Sequence, residues 1–104
     1  MATESYGPTG ENGVQRQVLQ CGDRLMLVRI TIAAGSVVPA HAHPHEQMSY
    51  LVSGSAQFTL GDETSEVSDG SSVYVPSDVP HGVTALSDCL FLDTFSPPRE
   101  DFLT

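Results

Sequence analysis

The chain has 104 residues, a formal net charge of -9, and four basic side chains that are all arginine. That length fits one small domain. The acidic balance excludes a nucleic-acid footprint and an anionic-membrane anchor, and the lack of lysine excludes Schiff-base chemistry.

Residues 1–12 are polar, carry Gly7, Pro8 and Gly10, and predict a flexible arm ahead of a single domain over 13–104. They lack the features of a signal peptide, and the apolar stretch Leu25–Ala34 is too short to span a bilayer. A cytoplasmic protein is expected, with Cys21 and Cys89 as free thiols. Val14–Gln20 is a candidate strand. Arg24–Ala34 alternates with period two, placing Met26, Val28, Ile30 and Ile32 on one face. Val37–His43 follows and Pro44 interrupts it. Gln47–Val52 leads into the hairpin signal Ser53-Gly54, then come Ala56–Leu60, Thr64–Val67, Val73–Val75, His81–Ala85 and Cys89–Phe95, each closed by turn residues. About nine short strands without a helix predict an all-β sandwich or barrel, and closure of the barrel protects edges. The tail over 99–104 is polar apart from Phe102 and Leu103, which are expected to dock on the surface.

The four histidines fall in two places, His41, His43 and His45 in one and His81 in the other. Residues two apart on an extended chain point to one side, so His41 and His43 are expected to offer two imidazoles to one face. Gln47 and His81 are placed to join them from later strands. Imidazole suits zinc, copper, iron and nickel.

The run Gly35-x5-His41-x-His43-x3-Gln47-x6-Gly54 resembles the first cupin motif, and Gly70-x5-Pro76-Ser77-Asp78-Val79-Pro80-His81 resembles the second. The resemblance covers about residues 24–95 and implies a double-stranded β-helix, the cupin jelly-roll barrel, around one divalent metal ion (Ni, Zn, Mn, Fe or Co). By position it implies His41, His43, Gln47 and His81 as ligands. Two departures stand out. Gln47 replaces the usual Glu, and Asp78 replaces a Gly, which bears on the shape of the turn. A neutral amide leaves a divalent ion its full charge, which favours Lewis-acid work on an anionic substrate and disfavours the two-His-one-carboxylate site of iron oxygenases. Glu46 is the alternative carboxylate ligand, although alternation puts it opposite Gln47. His45 is the spare imidazole.

In the run CLFLDTF, Asp93 shares a face with Cys89, Phe91 and Phe95. A carboxylate there must be paired, hydrogen-bonded or neutralised, so it is a candidate proton carrier. Arg99 is placed either to pair with it or to bind a substrate carboxylate. The stretches HAHPHEQ (41–47) and LDTFSPPREDF (92–102) resemble the small uronate-linearising cupins named for pectin degradation. That resemblance implies Asp93, Phe95 and Arg99 as pocket residues. It also implies an isomerase that opens and ketonises 4,5-unsaturated monouronates from pectin or alginate, a small anionic sugar acid being the substrate. Two other readings remain: a small cupin oxygenase or polyketide cyclase, and a non-catalytic sensor of small carboxylates. A homodimer is expected, because a chain this small buries little core of its own.

Overall fold

Alternation of apolar and polar residues makes strands throughout the molecule, and each strand turns one face inward. The computed structural model describes residues 13–103. The arm expected over 1–12 lies outside the described residues. The strands are β1 (Val14–Cys21), β2 (Met26–Ile32), β3 (Val37–His41), β4 (Glu46–Ser53), β5 (Ser55–Leu60), β6 (Glu63–Ser68), β7 (Ser72–Val75), β8 (His81–Ala85) and β9 (Cys89–Ser96). A 3₁₀ helix, Glu100–Leu103, follows. No helix among the described residues is long and apolar enough to cross a membrane.

The strands form two antiparallel sheets, a five-stranded one in the order β1-β2-β9-β4-β7 and a four-stranded one in the order β3-β8-β5-β6. This is the expected jelly roll. β2 is shorter than its alternation predicts. The chain turns before it, where the Gly22 amide bonds the Leu25 carbonyl, and after it, where the Ser36 amide bonds the Ala33 carbonyl. Gly54 joins β4 to β5 at φ 114°, and a Cβ there would meet the Asp88 carbonyl oxygen at 2.4 Å. Only glycine fits that corner.

The two inner faces enclose two apolar clusters. Leu51, Ala56, Phe58, Ala85, Cys89 and Phe91 fill the end of the barrel near that corner, with Phe58 and Phe91 in edge contact at 6.4 Å between ring centroids. A second cluster of Val18, Met26, Val28 and Phe95 lies towards the other end, where Phe102 and Leu103 pack against it.

Candidate metal centre and adjoining pocket

The four-stranded sheet brings the first two histidines together. β3 pairs with β8 so that His41 stands opposite His81, and their ring centroids are 4.4 Å apart. A Cβ on Gly82 would meet the Val38 carbonyl oxygen at 2.9 Å, so the residue after His81 has to be small for the two strands to approach. β3 ends at His41. The expectation that one extended strand presents both His41 and His43 is therefore corrected. His43 enters from the loop between β3 and β4, and its ring lies 5.6 Å from that of His41 and 4.8 Å from that of His81. A second loop holds it there. The Asp78 amide donates to the His43 carbonyl at 2.8 Å, and the Ser77 hydroxyl donates to the Pro44 carbonyl at 2.6 Å. Asp78 takes the left-handed conformation at φ 66°, which aspartate tolerates better than most side chains. The departure from glycine leaves the turn intact.

The ring nitrogens are sorted by their partners. Nδ1 of His41, His43 and His81 lies 2.9, 3.1 and 2.9 Å from the carbonyl oxygens of Pro39, His45 and Val79. A carbonyl only accepts, so each Nδ1 carries the hydrogen, and in a neutral ring Nε2 keeps its lone pair. The cluster has its candidate ligand atoms within 4.8 Å of one another. His81 Nε2 is buried without a hydrogen-bond partner. Burial pushes the His81 imidazole down to about 4. It lowers His43 too, with Arg99 adding to the effect. At neutral pH both rings are in the uncharged form that ligates metal.

Gln47 approaches from the five-stranded sheet with 6% of its surface exposed. Its Nε2 donates to Ser49 Oγ at 2.9 Å and to Asp93 Oδ2 at 3.3 Å. That orientation turns Oε1 to within 3.0 Å of His43 Nε2. With the His43 hydrogen on Nδ1, two lone pairs face each other across this gap. A cation accepting both removes the conflict, and the orphaned His81 Nε2 asks for the same thing. Three neutral imidazoles and an amide oxygen therefore fit a divalent transition ion.

Glu46 and His45 stand outside the group. Glu46 is exposed on the opposite face of β4 and accepts a hydrogen bond from the Tyr74 hydroxyl. The His45 ring meets that of His43 edge-on at 5.4 Å and lines a separate surface hollow beside Cys21 and Pro97.

β4 and β9 are paired so that Ser49 stands opposite Asp93 and Gln47 opposite Phe95. Asp93 is 5% exposed. Burial raises its carboxyl to about 7, against the opposing pull of a Ser49 hydrogen bond and of Arg16 and Arg99. Its Oδ1 has no hydrogen-bond partner. Asp93, Phe95 and Arg99 line one cavity with His41, His81 and Gln47.

Arg99 does not pair with Asp93. Its Nε and Nη2 donate to the two Asp101 oxygens at 3.2 and 2.9 Å, and its guanidinium lies 5.3 Å from the Phe95 ring centroid and 4.2 Å from that of Phe102. The tail is thus part of the pocket wall, with Phe102 edge-on to Phe95 at 5.7 Å. One further pocket residue, Arg16, is absent from the sequence-based set. Alternation along β1 was the signal for it, since Arg16 shares the inward face with Val14 and Val18.

Residues 28–95 match the family model described as a cupin domain. The pectin degradation protein KdgF of Dickeya dadantii is 32% identical over 94 residues, covering 88% of this chain and 86% of that protein. The solved structure of KdgF from a Halomonas species superposes with a TM-score of 0.86 at 32% identity, covering 97% of this chain and 92% of that one. An RmlC-like cupin from Shewanella frigidimarina superposes with a TM-score of 0.85 at 36% identity, covering 97% and 87%.

Proposed function

The chain belongs to the cupin family, and from that premise we propose that it is a metal-dependent isomerase of 4,5-unsaturated monouronates. The observation that carries this reading is a cluster of three imidazoles, two of which, His41 and His81, line one cavity with a buried carboxyl and a guanidinium. The similarity to pectin degradation proteins from two bacteria supports the substrate class.

The substrate is a cyclic hemiacetal whose enol ether adjoins its carboxylate. Opening breaks the bond between the anomeric carbon and the ring oxygen, leaving an aldehyde and an enol. Protonation of the alkene carbon then gives a 2-keto acid, and no atom is gained or lost. His41, His43, His81 and Gln47 hold the divalent ion, which when bound supplies Lewis-acid polarisation of substrate oxygens. Asp93 takes the proton of the anomeric hydroxyl on Oδ1 and returns one to carbon. A carboxyl poised near neutrality suits both directions of transfer. Arg99 holds the substrate carboxylate, and Phe95 keeps water from the reacting face.

The test is loss of conjugated-alkene absorbance when metal-loaded protein meets lyase-generated unsaturated monogalacturonate, with a chelator-treated control. Fast loss that the chelator abolishes is expected. No acceleration above the spontaneous rate, with metal bound, sinks the substrate assignment and favours a cyclase or a sensor.

The protein works as a homodimer in the cytoplasm. The thiols of Cys21 and Cys89 are free, as a reducing compartment keeps them. The outer face of the five-stranded sheet exposes Met48, Tyr50, Val52 and Tyr74. Met48 lies opposite Tyr74 across the ladder, and Tyr50 lies opposite Leu92, so the apolar side chains are contiguous, as expected of an interaction surface. Light scattering at micromolar concentration is expected to give a dimer, and Tyr50→Glu is expected to shift it to monomer. A wild-type monomer sinks the dimer reading.

A further inference from the structure

The cavity wall opposite the imidazoles holds two guanidiniums, and the mechanism above uses one of them. Arg16 occupies an inward position of β1, between the buried Val14 and Val18, and stands opposite Ile30 of β2. An arginine among core positions is costly unless its head meets charge or rings. Its guanidinium lies 5.1 Å from the Phe102 ring centroid, and that of Arg99 lies 4.2 Å from the same ring. Both arginines line the cavity that Asp93 and Phe95 line. Burial and the positive charge of Arg99 both weigh on the Arg16 guanidinium, and Asp101 and Asp93 partly offset them.

The Asp101 carboxylate indicates what this arrangement recognises. It sits on the tail, accepts two parallel hydrogen bonds from Arg99, and is well exposed. It can leave when another carboxylate arrives. Two guanidiniums around one aromatic ring make a planar, delocalised cationic wall, which fits a carboxylate better than a lone ammonium would. A neutral sugar has nothing to offer it.

We propose that Arg16 is a specificity-determining residue which, with Arg99, forms a two-guanidinium subsite for the carboxylate of a small ring-shaped acid, displacing Asp101. The identification of the acid as a uronate rests on the isomerase reading. The carboxylate subsite itself does not.

The experiment compares D-galacturonate with D-galactose as ligands of the metal-loaded protein, by amide chemical-shift titration or calorimetry. These probes do not turn over, so the outcome is separate from that of the isomerase assay. Wild type is expected to bind galacturonate measurably and galactose far more weakly. Arg16→Gln is expected to raise the galacturonate Kd by about ten- to a hundredfold, the range for losing charge-assisted hydrogen bonds. Galactose binding should not change. Arg16→Lys keeps the charge and loses the fork, so an intermediate rise is expected, and it serves where Arg16→Gln does not fold. With the unsaturated uronate, the loss in Arg16→Gln is expected in KM, with kcat nearly unchanged. A purely structural role in seating Phe102 would weaken both sugars together. Equal effects on the two ligands, no effect on galacturonate, or no carboxylate-dependent binding to wild type at tens of millimolar would each overturn the subsite.

Discussion

Leu51 and Gln47 stand on β4, Phe91 and Asp93 stand on its neighbour β9, and all four side chains point into the barrel. At one end the inward positions are Leu51, Phe91, Ala56 and Ala85, which form an apolar cluster, and Phe91 reaches the wall of the cavity. At the other end the same strands turn Gln47, Ser49 and Asp93 inward, facing His41 and His81 from the opposite sheet. The backbone ladder runs through both regions without a change of pairing partner. The difference lies in the side chains at equivalent pleat positions. The ladder thus positions Gln47, Ser49 and Asp93, while His43 joins them from the loop between β3 and β4. Removing a group from either end should therefore have separable consequences, one for chemistry and one for folding.

The largest effect is expected at the polar end. Asp93→Asn keeps the shape and removes the proton carrier. We expect kcat to fall by about 10²–10⁴-fold, the usual worth of general acid–base catalysis, while metal content is maintained. Steady-state kinetics on metal-loaded protein checks this. Full turnover in Asp93→Asn with metal bound would remove Asp93 from the mechanism.

The converse change is at the apolar end. Phe91 is 3% exposed and packs on Phe58. Phe91→Ala removes a buried ring and enlarges the cavity that it lines, at a cost of about 3–5 kcal/mol. Urea unfolding should show that loss, and the residual folded protein should keep its metal affinity. If Phe91→Ala lost metal while still folded, the two ends would be mechanically coupled and the separation would be wrong.

Much of this layout is legible in the sequence because strands at a pleated, half-buried surface leave a period-two record. Met26, Val28, Ile30 and Ile32 were assigned to one face, and β2 turns that face inward. Asp93 stood out as the polar member of an apolar row, and it is buried in that row. Three things were not legible. His43 reaches its neighbours through a loop tied by Asp78 and Ser77, long-range bonds that no local pattern records. Arg99 pairs with Asp101 because the tail winds into a 3₁₀ turn, and four residues are too few to show helical periodicity. Arg16 was visible in principle from its place between Val14 and Val18, but an arginine next to glutamines on an edge strand reads as solvated until the opposing wall is known.

The last predicted effect is a pH dependence of stability in the metal-free protein, and it sharpens the contrast between the two kinds of buried polar group. Asp93 holds its proton more tightly folded than unfolded, with its carboxyl raised from 3.8 to about 7. As pH rises through that interval the unfolded chain ionises first and the folded state lags behind, so this group's contribution to stability falls. His81 behaves oppositely. Its imidazole is lowered from 6.5 to about 4, so the unfolded chain binds the extra proton and stability rises with pH over that range. In the wild type the two slopes oppose each other between about 4 and 6.5. Asp93→Asn removes the falling contribution and leaves the rising one. The stability of Asp93→Asn relative to wild type should therefore improve steadily from pH 4 to pH 7 and level off above it. Thermal melts in chelator across that range check the sign. The other carboxylates of this acidic chain titrate in both proteins and cancel in the difference. A relative stability independent of pH would mean that Asp93 ionises as an ordinary carboxylate, and the buried acid–base role would lose its physical basis.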